Sequence, residues 1–215
     1  MKIALCGDSF CADRGEPWDP WRGYPTWTVL LLEEFNATAV QHGVGGDCLF
    51  HSYQQLIKCI DTVDYIIFCI TEPDRLANRL NIPMNIGIAE NEYIPNPLPP
   101  ITIQKASQIY YRELINFDFH KMAHRGILMQ IDQLILKKKK KCIWFPCFDT
   151  SLQKYKITSG PCGTTPLMTI AKRNKPLIPH SNHFSEEQNK NMFTLLKNII
   201  SNNTFGPADL NTEIL

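Results

Sequence analysis

Three short segments of this 215-residue chain combine residue types that can do chemistry together. Gly7-Asp8-Ser9 follows the apolar run Ile3 to Cys6, so a hydroxyl stands directly after a strand. The glycine permits the tight turn that presents the serine amide and side chain outward. Gly43-Val44-Gly45-Gly46-Asp47 follows a second strand, Ala37 to Gln41. Its glycines let backbone amides approach a ligand closely, which suits an oxyanion donor or a phosphate cradle. Pro179 to Ser185 carries His180 and His183 just ahead of the last helix, where a histidine can act as a general base. Singly, a turn serine, a glycine turn and a solvent-facing histidine at a helix entry are the commoner readings. In this order, at the carboxyl ends of strands where open α/β sheets bind ligands, they form a nucleophile, a donor loop and a base.

With these residues in place, the sequence resembles the SGNH (GDSL-type) hydrolase superfamily. Gly7-Asp8-Ser9-Phe10 matches its nucleophile block, Gly43 to Asp47 looks like its glycine block, and His183 before an amphipathic helix looks like its histidine block. The blocks span nearly the whole chain. The resemblance implies a flavodoxin-like three-layer α/β/α sandwich with a central, mainly parallel sheet. It also implies hydrolysis of an ester, an O-acetyl group on a carbohydrate among the options. Ser9 would be the nucleophile, His183 the base, and the amides of Ser9 and Gly46 the oxyanion donors. No cofactor is implied. Asp8, Glu72 and Trp21 are the expected substrate contacts. Trp21 belongs to an aromatic group (Trp18, Trp21, Tyr24, Trp27) that would either stack on a sugar or form a satellite core.

Two positions depart from the family pattern. After the third strand the family usually carries Gly-x-Asn-Asp, its Asn donating to the oxyanion, whereas this chain reads Ile70-Thr71-Glu72-Pro73-Asp74-Arg75. Glu72 falls nearest the Asn, and losing one such donor typically costs on the order of 100- to 1000-fold in rate. The last block, usually Asp-x-x-His, is His180-x-x-His183, so a neutral imidazole would orient the base unless Asp149 substitutes. A binding module for a carbohydrate or protein is therefore the alternative. A phosphate- or nucleotide-binding reading of Gly43 to Gly46 is weaker, because that loop holds no Lys or Arg.

The elements that must position these residues alternate between strand and helix patterns, which selects α/β. Helices are expected over Pro25 to Phe35, Leu49 to Ile60 and, as two helices meeting near His120 to Gly126, over Ile103 to Leu136. Tyr65 to Ile70 reads as a strand buried on both faces, and Cys142 to Phe148 as a fourth strand. Ser185-Glu186-Glu187-Gln188 fits a capping box opening the final helix. Residues 71–100, rich in Pro and Asn, read as a flap. Ser151 to Lys175 is unassigned, and the tail after Asn202 is expected to fray.

Composition bounds the rest. A chain with 44% apolar residues supports one domain over 1–215. Twenty-two basic against 21 acidic residues argue against nucleic acid as partner. The run Lys137 to Lys141 reads as a solvated turn before a strand. No run reaches the roughly 20 apolar residues of a membrane span. Eight scattered cysteines without an export signal read as free thiols in a cytoplasmic protein. His180 and His183 with Cys162 or Asp149 match no zinc spacing, so no metal is expected. The oligomeric state is left open.

Overall fold

The computed structural model describes residues 1–12, 24–78, 84, 101–152, 154–173 and 184–215. Strand β1 (Lys2–Gly7) leads through helix α1 (Trp27–Glu34) to β2 (Thr38–Gln41), α2 (Leu49–Cys59) and β3 (Tyr65–Ile70). Helix α3 (Ile101–Ile109) runs into a π-helical turn (Tyr110–Leu114), followed by α4 (Phe117–Lys137) and β4 (Lys141–Pro146). Then come β5 (Cys162–Gly163), α5 (Leu167–Ala171), α6 (Glu186–Ser201), β6 (Asp209–Leu210) and a closing 3-10 turn, Thr212–Ile214.

The strands form one sheet in the order β2-β1-β3-β4-β5-β6, every pairing parallel. Alternation along the central strands sorts the core into two layers. Ile3 and Leu5 of β1, Ile67 of β3, and Ile143 and Phe145 of β4 face α1, α5 and α6. Ala4, Cys6, Ile66, Phe68, Cys142 and Trp144 face α2 and α4. The architecture is thus the three-layer α/β sandwich expected from the sequence. Its order places a switch point between β1 and β3, where the chain's direction of winding reverses and a crevice opens at the carboxyl ends.

Three expectations change. The junction in the long helical region lies at Ile115–Asn116 rather than His120 to Gly126. Asn116 caps α4 by accepting the Phe119 N–H at 3.0 Å, while Gly126 sits exposed inside the helix, where glycine costs only about 1 kcal/mol. The unassigned region after Ser151 is organised by the buried Asp132 carboxylate. It accepts from Thr158 N (3.1 Å), Thr158 Oγ1 (2.6 Å), Ser159 N (2.8 Å) and the Tyr155 hydroxyl (2.8 Å).

The tail after Asn202 does not fray. It returns to the sheet as β6 beside β5, and Leu215 joins the core. Thr212 is fully buried, accepting from Thr165 N at 2.8 Å and donating to Thr165 O at 3.1 Å. Thr212→Val keeps the shape and deletes both bonds, so we expect a loss of about 2 kcal/mol, read as a melting-temperature drop of roughly 4–8 °C. An unchanged melting temperature would mean that the tail contributes nothing.

Candidate active site

Ser9 stands at the tip of a turn at the switch point. The Cys11 N–H donates to Asp8 O at 3.1 Å, closing the turn, and the Phe10 N–H donates to Asp8 Oδ1 at 3.1 Å. Asp8 and Phe10 are buried by this arrangement, while Ser9 between them remains half-exposed. Gly7 has φ +131°, and a Cβ there would lie 2.1 Å from Cys69 O, so the strand-to-turn exit admits no side chain.

The glycine loop is bonded directly to this turn. Val44 N donates to Gly7 O at 3.0 Å and Gly43 N to Cys11 O at 3.2 Å. A Cβ on Gly43 would sit 2.5 Å from Cys11 Sγ and 2.7 Å from Asp8 O. The loop then makes its own turn, Asp47 N to Val44 O at 3.0 Å, with Gly46 at φ +76°. Gly45 lies against the serine, its Cβ position 3.8 Å from Ser9 Cβ. None of these bonds uses the amides of Ser9 or Gly46.

The start of α6 closes the third side. Ser185 and Gln188 form the expected capping box. Phe184, directly after the histidine block, packs on Phe10, directly after the serine, with ring centroids 5.5 Å apart. Asn189 ties the two flanking helices together: its Oδ1 accepts Trp27 N at 2.8 Å, and its Nδ2 donates to Phe184 O and Ser185 O at 3.0 Å. The Trp27 indole donates to Phe10 O at 3.0 Å, and the Tyr24 hydroxyl donates to Phe184 O at 3.0 Å. A cleft lined by Ser9, Phe10, Ala12, Thr26, Phe184 and Asn189 opens here. His180, His183, Trp18 and Trp21 lie outside the described residues, as does most of the expected flap.

Beneath the serine lies a buried ionic cluster. Asp8 was expected at the substrate and is instead 0% exposed, held by Phe10 N, by the Cys147 thiol at 3.4 Å and by Arg75 Nη2, 3.7 Å from its Oδ2. Burial pushes its carboxyl above the usual range, against the pull of Arg75. Arg75 is 7% exposed, donates from Nε to Glu72 Oε1 at 3.0 Å, and stacks 4.8 Å over the Phe148 ring. The Glu72 side chain, 25% exposed, is likewise raised by burial and held back by Arg75. The first turn after β3 is therefore packed into the site floor rather than lifted as a flap. Nearby, burial lowers His124 to about 4, and its neutral ring donates from Nε2 to Thr71 O at 3.0 Å. Asp149 is exposed and accepts from Thr169 at 3.3 Å. Trp27 belongs to the core, which settles its part of the aromatic group as packing.

Sequence reading missed Asn189 and a second feature, His51. Its Nδ1 lies 2.8 Å from Asp47 Oδ1, which also accepts the Cys48 N–H at 2.9 Å. This hydrogen bond to Asp47 raises the imidazole to about 10, so it is charged at neutral pH. Among the described residues, Asp47, Cys48 and His51 are the group whose ligand-type atoms converge, all within 4.8 Å. A proton already links the first and last of them, at the positive end of α2, which suits an ion pair better than a cation.

No family model matches the chain, and no curated protein matches it in sequence. Among solved structures, a crystal structure of an acetyl xylan esterase aligns with 100% of this chain and 80% of its own, at 12% identity and a TM-score of 0.39. So distant a likeness leaves function to be argued from the residues.

Two outcomes follow from this geometry. Gly43→Ala should cost about 2 kcal/mol or more by chemical denaturation, whereas Gly45→Ala should fold within about 0.5 kcal/mol of wild type. Equal tolerance at both positions would contradict the tight contact at Gly43. For His51, a folded-state value raised from 6.5 to about 10 means the native state keeps a proton that the unfolded chain has released. Its contribution is fully present below pH 6.5 and is lost as pH rises towards 10. Asp47→Asn should flatten that part of the stability–pH curve, and an unaltered slope would rule the pair out as its source.

Proposed function

We propose that the chain is a serine esterase or deacylase of SGNH type. The observation that carries this reading is the meeting of its sequence blocks around one half-exposed hydroxyl. Gly45 lies against Ser9, and the residue after His183 packs on the residue after Ser9. In the mechanism, Ser9 Oγ attacks the ester carbonyl as His183 takes its proton, with the amides of Ser9 and Gly46 as donors to the oxyanion. The C–O bond to the alcohol then breaks, and the alcohol leaves with the proton from His183. Water attacks the acyl-serine as His183 takes one of its protons; the bond from the acyl carbon to Ser9 Oγ then breaks, Oγ takes that proton back from His183, and the acid leaves. His180 is the proposed orienting group for His183, and an O-acetylated carbohydrate is one substrate class to screen.

Glu72, standing where the family has a donor, favours a second reading: a scaffold that binds a carbohydrate or protein without turnover. Intact-mass labelling with a fluorophosphonate separates the two. The probe bonds phosphorus to Oγ as fluoride leaves, whatever the natural substrate. We expect one adduct on wild type, none on Ser9→Ala, and labelling slowed on the order of 1000-fold in His183→Ala. A folded wild type that takes no adduct, or a Ser9→Ala variant that still does, overturns the esterase reading.

A further inference from the structure

A carboxylate at the end of β3 would oppose negative charge developing on an acyl oxygen at Ser9. The site nevertheless holds two acidic groups, Asp8 and Glu72, within reach of one another's partner. The register accounts for this closeness: Gly7 pairs with Cys69, so the Asp8–Ser9 turn and the Thr71–Glu72 turn leave the sheet side by side. Arg75 is the cation shared between them. Its Nε faces Glu72 Oε1 at 3.0 Å, its Nη2 faces Asp8 Oδ2 at 3.7 Å, and its Cζ lies over the ring of Phe148, which follows β4, 4.8 Å from the centroid. A planar guanidinium can serve two carboxylates and an aromatic face at once, which an ammonium cannot.

We propose that Arg75 is a positioning residue for the reaction: it holds the Glu72 carboxylate turned onto itself and offsets its charge, so that an oxyanion can form beside a glutamate. This rests on the esterase reading above. Arg75 touches no substrate in this scheme; it acts through Glu72 and Asp8. Its removal leaves Glu72 free to repel the developing charge, and neutralising Glu72 then relieves the defect. A purely structural arginine predicts no such relief.

The test compares fluorophosphonate labelling rates for wild type, Glu72→Gln, Arg75→Met and the double variant, each checked for folding by thermal melting. Glu72→Gln should label faster than wild type, by about threefold, because one anion is gone. Arg75→Met should label on the order of 100-fold more slowly, and the double variant should recover to within about tenfold of Glu72→Gln. Should Arg75→Met fail to fold, Arg75→Lys keeps the charge but loses the fork. It should label about tenfold slower and be rescued in the same way by Glu72→Gln. Equal slowing whether Glu or Gln stands at 72 overturns the inference, as do wild-type rates in the Arg75 variants. Neither result touches the esterase reading while wild type still labels. No labelling of folded wild type removes both.

Discussion

The carboxyl ends of three strands meet on one buried cation. Arg75 reaches Asp8 after β1, Glu72 after β3 and the ring of Phe148 after β4. Burying a charge is costly unless it is paired, and here each partner needs the other. Burial raises Asp8 and opposes the charge on Arg75, yet the two carboxylates keep the guanidinium firmly cationic. Asp8 in turn shapes the serine turn through the Phe10 N–H, so the conformation at Ser9 is linked to a buried ion pair.

Around that cluster the backbone is held by contacts that leave little room. Gly43 and Gly7 sit where a single added carbon would strike neighbouring backbone, and the loop they join is hydrogen-bonded to the serine turn at two points. The other wall depends on Asn189, whose amide joins the first turn of α1 to the entry of α6 with three hydrogen bonds. A polar side chain buried on a helix is tolerated only when its groups are satisfied, and here satisfying them also fixes the distance between two helices. The order of the cleft is thus set by packing and backbone bonds on one side and a side-chain amide on the other.

Much of this was legible in the sequence. Continuous apolar runs such as Tyr65 to Ile70 marked the central strands, and Ser185 with Gln188 marked the start of α6. Periodicity and capping are local signals, and they survive in one dimension. The two-residue strands Cys162–Gly163 and Asp209–Leu210 carry no period to detect, and they exist only because each finds a neighbour in the sheet. The tail looked frayed for the same reason: its order comes from Thr165 and the core, 47 residues away for Thr212. The burial of Arg75 was not legible, because burial of an arginine depends on partners that sequence does not place. The helix junction expected near His120 to Gly126 lies instead at the Asn116 cap, because an exposed glycine inside a long helix costs only about 1 kcal/mol, an amount that packing elsewhere along the helix offsets. The ligand-facing roles assigned to Asp8 and Glu72 came from proximity in sequence to the serine and the third strand. Asp8 turned inward, where its carboxylate accepts the Phe10 N–H and the Cys147 thiol while its backbone carbonyl closes the turn.

The opposite end of the sheet shows why the near-neutral net charge says little about the site. Lys138 meets Asp61 at 2.7 Å, Lys140 donates to the carbonyls of Asp61 and Val63, and Lys141 lies over the rings of Tyr65 and Phe205. The lysine run is therefore a clasp on the turn between α2 and β3. Its exposed ion pair contributes little, while its carbonyl contacts satisfy backbone that the turn leaves unpaired. Lysine suits this rim, because an ammonium stays hydrated while its stem packs. Arginine suits the interior, because a planar fork can be surrounded by acceptors and an aromatic face. Balanced totals of acid and base thus conceal an uneven layout. Solvated charges hold the amino ends of the strands, and a buried, mutually dependent set holds the carboxyl ends, where a change in charge on one group is felt by all the others.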